Sequence, residues 1–304
     1  MSSAPARIGT RGSALALAQT ALVVERLQGI GLEVEIASVS THGDRARSSE
    51  SLMLERGAFV KDLEAALLRG EVDLAVHSAK DLPTEVADGT SLVAFPPRGD
   101  ARDALVSSTR ARLADLPPGA RVGTESPRRQ AFVRLARPDL IVEPIRGNVD
   151  TRLGRLDAGE VDALVLAAAG LERLGLAGRI AEALSVARMI PAVGQGALVI
   201  QARRGDSWAE RAGEIDDWGT RKEVTAERAF LSAMGGGCRA PFAAHASWSR
   251  GDLAIEAAAL RSDGGAILRE RLVGSDEDAE AIGWRIARRL LARGAAALAS
   301  GAGA

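Results

Sequence analysis

Ala6-Arg7-Ile8-Gly9-Thr10-Arg11-Gly12-Ser13 and Ala120-Arg121-Val122-Gly123-Thr124-Glu125-Ser126-Pro127 are the two stretches that decide the fold. Each reads as a short strand, a tight Gly-Thr turn and a serine placed to cap the next helix, which runs to Leu27 in one case and to Arg137 in the other. A second pair lies downstream. Gly70-Glu71-Val72-Asp73-Leu74-Ala75-Val76 has its counterpart in Gly159-Glu160-Val161-Asp162-Ala163-Leu164-Val165. In both, glycine ends a helix and a buried strand begins at once, Val72 to Val76 in the first copy.

Two successive α/β units follow from this pairing. Alternating strands and helices imply mixed, mostly parallel sheets, and such sheets present ligands at the carboxyl ends of their strands, where helix amino-termini point. Those termini carry unpaired N–H groups and partial positive charge, so Ser13 with Arg11, and Ser126 with Arg128 and Arg129, mark two anion-binding ends. The units are expected to face each other across a cleft. Serines that only cap helices and arginines that only meet solvent are the alternative for either segment alone.

Composition bounds the function. The chain has 304 residues, 46% of them hydrophobic, which suits a globular enzyme of two or three domains. No uncharged apolar run approaches the ~18 residues of a membrane span, and Met1-Ser2-Ser3-Ala4-Pro5 is not a basic, apolar leader, so the cytoplasm is the expected compartment. The formal net charge of -1 gives no electrostatic reason to expect nucleic acid or an anionic membrane as partner. Lysine occurs only at Lys61, Lys80 and Lys222, and arginine supplies the rest of the positive charge. With His42, His77 and His245 far apart in sequence, no metal site is expected.

Cys238 is the only thiol, set in Gly235-Gly236-Gly237-Cys238-Arg239-Ala240-Pro241 behind a helical run from Thr225 to Met234. It has no partner for a disulfide or a redox couple. A small buried residue is one reading. The three glycines, which clear side chains from the backbone and the sulfur, favour an accessible thiol.

His77-Ser78-Ala79-Lys80-Asp81-Leu82-Pro83 closes the strand after Gly70. Lys80 offers a point charge there, and Asp81 stands where catalytic residues of α/β folds collect, able to orient an N–H or stabilise a developing cation. A capping-box acid is the other reading of Asp81. In the second unit, Arg146 precedes the turn Gly147-Asn148 after the strand Ile141 to Pro144. Arg152 lies in the first turn of the next helix, where the dipole disfavours it, and Arg173 follows another strand. Each of these arginines alone can be a solvated surface residue; together they form a multi-guanidinium site suited to carboxylates.

The ordered set of segments resembles the porphobilinogen deaminase family. It comprises Gly9-Thr10-Arg11, His77-Ser78-Ala79-Lys80-Asp81, Arg128-Arg129-Gln130, Arg146-Gly147-Asn148-Val149, Pro191-Ala192-Val193-Gly194-Gln195-Gly196, Ala226-Glu227-Arg228-Ala229-Phe230-Leu231 and Gly236-Gly237-Cys238. The resemblance covers nearly the whole chain. It implies a transferase of tetrapyrrole and haem biosynthesis that carries a dipyrromethane cofactor on Cys238 through a thioether. Four molecules of porphobilinogen are deaminated and coupled onto that primer, and the linear tetrapyrrole is released by hydrolysis. Asp81 is implied as the catalytic carboxylate that stabilises the electron-poor azafulvene left by loss of ammonia. Lys80, Asp81, Ser13, Thr124, Ser126, Arg128, Arg129 and Arg146 are implied in cofactor binding. Arg11, Ser13, Phe59, Arg146, Arg152 and Arg173 are implied in substrate binding. A monomer is the expected state.

The implied architecture is two similar periplasmic-binding-protein-like lobes, residues 1–97 with 193–216 and residues 98–192, plus a small C-terminal α+β domain over 217–304 that carries the cysteine. Its strands are expected at Ala243 to Trp248, Leu253 to Leu260 and Ala266 to Leu272, its helix at Asp276 to Leu291, and Gly294 to Ala304 as a mobile tail. The chain departs from the family pattern in three places. Leu54-Glu55-Arg56-Gly57-Ala58-Phe59 stands where many relatives have a glycine-rich lid ending in Gly-Gly-Lys-Gly-Leu-Phe, Glu125 replaces a frequent serine beside the arginine pair, and Gln201-Ala202 replaces a common Glu-Cys. Two other classes remain. A two-lobed anion-binding module accounts for the repeats but leaves Cys238 unexplained, and a cysteine-dependent hydrolase needs a histidine near Cys238.

Overall fold

The computed structural model describes residues 4–39, 58–235, 240–275 and 278–300. In chain order it opens with β1 (Ala6–Thr10), α1 (Ala14–Gly29), β2 (Val34–Ser38), α2 (Ala58–Leu68), β3 (Leu74–Ser78) and β4 (Thr90–Ala94). Next come β5 (Asp103–Ser107), β6 (Arg121–Gly123), α3 (Pro127–Ala136), β7 (Ile141–Glu143), α4 (Val149–Asp157), β8 (Ala163–Ala167), α5 (Ala168–Arg173) and β9 (Glu182–Leu184). The remainder is β10 (Leu198–Arg203), α6 (Ser207–Gly213), α7 (Trp218–Ala233), β11 (Phe242–Ser249), β12 (Asp252–Leu260), β13 (Ile267–Ser275), α8 (Ala279–Ala292) and α9 (Ala295–Ser300).

These elements form two compact units, residues 1–98 with 197–221 and residues 99–196 with 222–304. The first unit holds a five-stranded sheet of order β2-β1-β3-β10-β4, the second a sheet of order β7-β6-β8-β5-β9. In the first, β1 runs parallel to β2 and β3, while β10 is antiparallel to β3 and β4. In the second, β6 runs parallel to β7 and β8, while β5 is antiparallel to β8 and β9. The two sheets therefore have the same plan. In each, the antiparallel member is the strand that the chain enters directly after crossing from the other unit.

The paired sequence segments build the same hydrogen-bonded device twice. Helix α2 ends at Gly70 (φ 69°), with Gly70 N–H donating to Leu67 O and Glu71 N–H to Ala66 O, both at 3.0 Å. Helix α4 ends at Gly159 (φ 73°), with Gly159 N–H donating to Leu156 O and Glu160 N–H to Arg155 O, again at 3.0 Å. This is the Schellman closure, which needs a left-handed residue and so selects glycine. Because Glu71 still serves the helix, β3 begins at Leu74 rather than at Val72. The aspartate that follows is tied to the first strand in both copies. Asp73 Oδ2 accepts Arg7 N–H at 2.9 Å, and Asp162 Oδ2 accepts Arg121 N–H at 2.7 Å. Each of those arginines also donates through Nη2 to the glycine carbonyl, Gly70 or Gly159, at 2.7 Å.

Within the second unit the last segment forms an antiparallel sheet β11-β12-β13 with its own core of Phe230, Leu253, Ile255, Leu272, Ile282, Ile286 and Leu290. Helix α8 lies close against α7 at Gly283, where an added Cβ would stand 2.2 Å from the carbonyl oxygen of Ala226, so only glycine fits that crossing. Two sequence expectations need correction here. Helix α7 starts at Trp218, well before Thr225, because Asp217 supplies an amino-terminal cap through Oδ1 to Thr220 N–H at 2.8 Å. The tail is not featureless. Ala295–Ser300 is a helix with Ala295 buried, as an alanine-rich run favours once Gly294 has ended α8.

Candidate active site

In the first unit the parallel neighbours β1 and β3, with Gly9 opposite Ala75, deliver their carboxyl-terminal residues to one edge. After β1 come Arg11 and Ser13. Ser13 caps α1, its Oγ accepting Ala16 N–H at 3.3 Å. The Arg11 guanidinium lies 3.7 Å from the centroid of the Phe59 ring in the first turn of α2, a cation–π contact. After β3 comes a single 3₁₀ turn, Ala79–Asp81, pinned by Ala79 N–H donating to Ala197 O at 3.0 Å. Ser78 makes no side-chain cap bond, so the capping box considered for Asp81 is not formed on the serine side. Asp81 is exposed and Lys80 half-buried at the sheet edge.

Directly behind this turn, His77 is buried on β3, and burial pushes its pKa down to about 4. Its neighbour Gln201 on β10 donates through Nε2 to Glu64 Oε1 at 2.9 Å and to Thr90 Oγ1 at 2.7 Å. His77 Nε2 and Gln201 Oε1 are both buried without a hydrogen-bond partner. The folded pKa lies below the unfolded value near 6.5, so the neutral histidine's contribution is complete above about pH 6.5 and is lost as pH falls towards 4. That loss amounts to about 3 kcal/mol. Urea denaturation at a series of pH values checks it: His77→Asn should flatten the stability slope between about pH 6.5 and 4.5. An unchanged slope would contradict the assignment.

In the second unit β7, β6 and β8 run parallel and bring three sets of residues to the equivalent edge. Ser126 caps α3, with Pro127 as its first residue and Ser126 Oγ accepting Arg129 N–H at 3.4 Å. Thr124 is fully buried, its Oγ1 accepting Ser126 N–H at 3.4 Å and its carbonyl accepting Gln130 Nε2 at 2.9 Å. Arg128 and Arg129 do not meet solvent. Their side chains are 4% and 8% exposed and converge on the fully buried Asp103 of β5. Arg128 Nη1 reaches Asp103 Oδ2 at 2.7 Å and Ile190 O at 2.6 Å, and its Nη2 reaches Asp103 Oδ1 at 3.1 Å. Arg129 Nε reaches Asp103 Oδ1 at 2.8 Å, its Nη1 Val165 O at 3.1 Å and its Nη2 Gln195 Oε1 at 3.1 Å. Gln195 closes the ring by donating to Asp103 Oδ1 at 3.0 Å and to Ala101 O at 2.7 Å. Burial works to raise the Asp103 pKa, but the two guanidinium charges and the hydrogen bonds outweigh it and hold the carboxyl far below its usual range. Arg128 Nε is buried without a partner.

The other predicted arginines each have a partner within the second unit. Arg146, which follows β7, meets Glu125 with Nε 2.8 Å from Oε1. Arg152 folds back so that Nε donates to Gly147 O at 2.7 Å. Arg173 ends α5, and its Nη2 donates to Gly196 O at 2.5 Å, while burial lowers its pKa from the ordinary arginine value. The Ala226–Leu231 motif supplies Glu227, a buried carboxylate on α7 that accepts Gly194 N–H at 2.6 Å and Ala246 N–H at 2.8 Å. Helix α7 then leads towards Cys238. Cys238 and the lid-region residues 43–57 lie outside the described residues.

Asp103 was not among the sequence candidates. Its signal is a charged residue opening the otherwise apolar, fully buried run Ala104-Leu105-Val106. Gln195 lay in a quoted segment but had no role. Among the described residues no group of three His, Cys, Asp or Glu side chains is arranged to hold a metal ion, and no helix is long and apolar enough to cross a membrane.

Residues 6–211 match the family model described as "Porphobilinogen deaminase, dipyromethane cofactor binding domain", and residues 221–292 match "Porphobilinogen deaminase, C-terminal domain". The chain belongs to the porphobilinogen deaminase family. It is 47% identical over 300 residues to the porphobilinogen deaminase of Deinococcus deserti, covering 96% of each chain. It is also 47% identical over 291 residues to the porphobilinogen deaminase of Thermus thermophilus, covering 94% of this chain and 95% of that one. Among solved structures, the Bordetella pertussis BvgS periplasmic VFT2 domain aligns with 69% of this chain and 85% of its own, with 21% identity and a TM-score of 0.40. The family's cofactor is a dipyrromethane. A group bearing several carboxylates fits the donors present, since the buried cluster at the start of α3 brings two guanidinium groups together and leaves one Arg128 N–H unused.

Proposed function

We propose that this chain assembles four porphobilinogen molecules head to tail into the linear tetrapyrrole hydroxymethylbilane, releasing ammonia at each addition, on a dipyrromethane attached to Cys238. The observation that supports the reading most directly is the buried Arg128 Nε–H that has no hydrogen-bond partner, at the amino-terminus of α3. A buried charged donor left unpaired is costly, and an anionic ligand offsets that cost. Arg128, Arg129, Ser126, Thr124, Ser13 and Lys80 hold the cofactor, with Arg146 shared between cofactor and substrate. Arg11, Phe59, Arg152 and Arg173 receive the acetate and propionate groups of the substrate. When bound, the dipyrromethane supplies the nucleophilic pyrrole carbon to which the first substrate is joined.

Asp81 accepts a hydrogen bond from the pyrrole N–H of porphobilinogen and faces the positive charge that develops as the carbon–nitrogen bond breaks and ammonia departs with the electron pair. Its exposure at the carboxyl end of β3 leaves it open to a ligand. Lys80 beside it adds a positive charge for a carboxylate. Cys238 needs a free thiol to form its thioether, which suits a reducing compartment, and the chain acts there as a cytoplasmic monomer without nucleic-acid partners. Incubation of the purified protein with porphobilinogen tests the reading. Ammonia release matched by a linear tetrapyrrole product, in a ratio of four to one, is expected. Consumption of substrate without a tetrapyrrole would refute it.

A further inference from the structure

We propose that Glu125 is a built-in competitor for the guanidinium of Arg146 and sets how tightly this enzyme holds the carboxylates of porphobilinogen. The proposal rests on the reading above that Arg146 binds a ligand carboxylate. Glu125 is fixed on both sides. Thr124 before it is buried, with its N–H donating to Glu143 O at 2.9 Å, and Ser126 after it is the cap of α3. Arg146 is fixed by Ile145, 3% exposed, and by the turn at Gly147. Strands β6 and β7 pair with Gly123 opposite Glu143, so their exits bring residues 125 and 146 to the same edge of the sheet.

The side chains meet with Nε 2.8 Å from Oε1, at 46% exposure for Arg146 and 25% for Glu125. A contact this open to water contributes little to stability, so it is made and broken readily and an incoming carboxylate can replace it. An internal group ready to take the place of a departing carboxylate eases its release.

The test uses the holoenzyme carrying Glu125→Gln, Glu125→Ser, Arg146→Gln or the Glu125→Gln/Arg146→Gln pair, with KM for porphobilinogen and kcat measured at low and high ionic strength. Glu125→Gln and Glu125→Ser should lower KM by about two- to fivefold, an effect that shrinks with added salt. In the Arg146→Gln background the same substitution should have no effect on KM. An unchanged or raised KM in both Glu125 variants overturns the proposal, as does a fall that persists without Arg146. If Arg146→Gln by itself raises KM while the Glu125 variants do not lower it, only the competitor role fails. If Arg146→Gln leaves KM unaltered, the reading of Arg146 as a ligand residue fails and takes the proposal with it.

Discussion

Asp81→Ala should nearly abolish turnover while leaving the fold and cofactor attachment intact. Asp81 lies exposed at the end of a single 3₁₀ turn whose position is set by the backbone bond from Ala79 to Ala197, so its side chain is not needed to shape the edge. An exposed substitution of this kind changes stability by about 0.5 kcal/mol or less. The catalytic loss is of another order, because removing a preorganised group aimed at developing charge lowers kcat by about 10²–10³. Asp81→Asn keeps the size and an oxygen acceptor but not the charge, and separates hydrogen bonding from electrostatic stabilisation. Single-turnover ammonia release from variants already loaded with cofactor is the measurement to make. Normal product formation by Asp81→Ala would remove Asp81 from the chemistry.

Asp103→Asn should be the most destabilising of the substitutions considered. The carboxylate is fully buried and receives hydrogen bonds from Arg128, Arg129 and Gln195, so the amide removes the negative charge that both guanidinium groups share. Breaking a buried ion pair from one side costs about 3–5 kcal/mol. The cost should also depend on the ligand, because a bound carboxylate restores part of the missing charge and the holoenzyme should lose less stability than the cofactor-free form. Urea denaturation of both forms, wild type against Asp103→Asn, gives the comparison. Equal losses in the two forms would mean that the arginine pair is a structural device that does not sense the cofactor.

The duplicated architecture was legible because both copies use local chemistry that leaves a mark on sequence. The Schellman glycines Gly70 and Gly159, the aspartates Asp73 and Asp162, and the capping serines Ser13 and Ser126 each occupy a position that few other residues can fill. The sheet partners of β3 and β8 were not legible in the same way. Strands β10 and β5 arrive from distant sequence after a crossing, and their run of apolar residues says nothing about direction. The orientation of Arg128 and Arg129 was hidden for a related reason. Adjacent residues on a helix point in different directions, and their convergence becomes visible only when Asp103 and Gln195 are placed between them. Glu125 stood out in the sequence as an unexpected negative charge that either points away or pairs with an arginine, and the structure gives it Arg146 as partner.

The central claim is that a single sulfur carries an oligopyrrole primer, and intact-protein mass spectrometry of freshly purified, active enzyme tests it most directly. The account predicts a mass above that of the polypeptide by one two-pyrrole adduct, localised to the peptide containing Cys238 and absent from Cys238→Ser. Active enzyme with the mass of the bare polypeptide, or with its adduct on another residue, would contradict it.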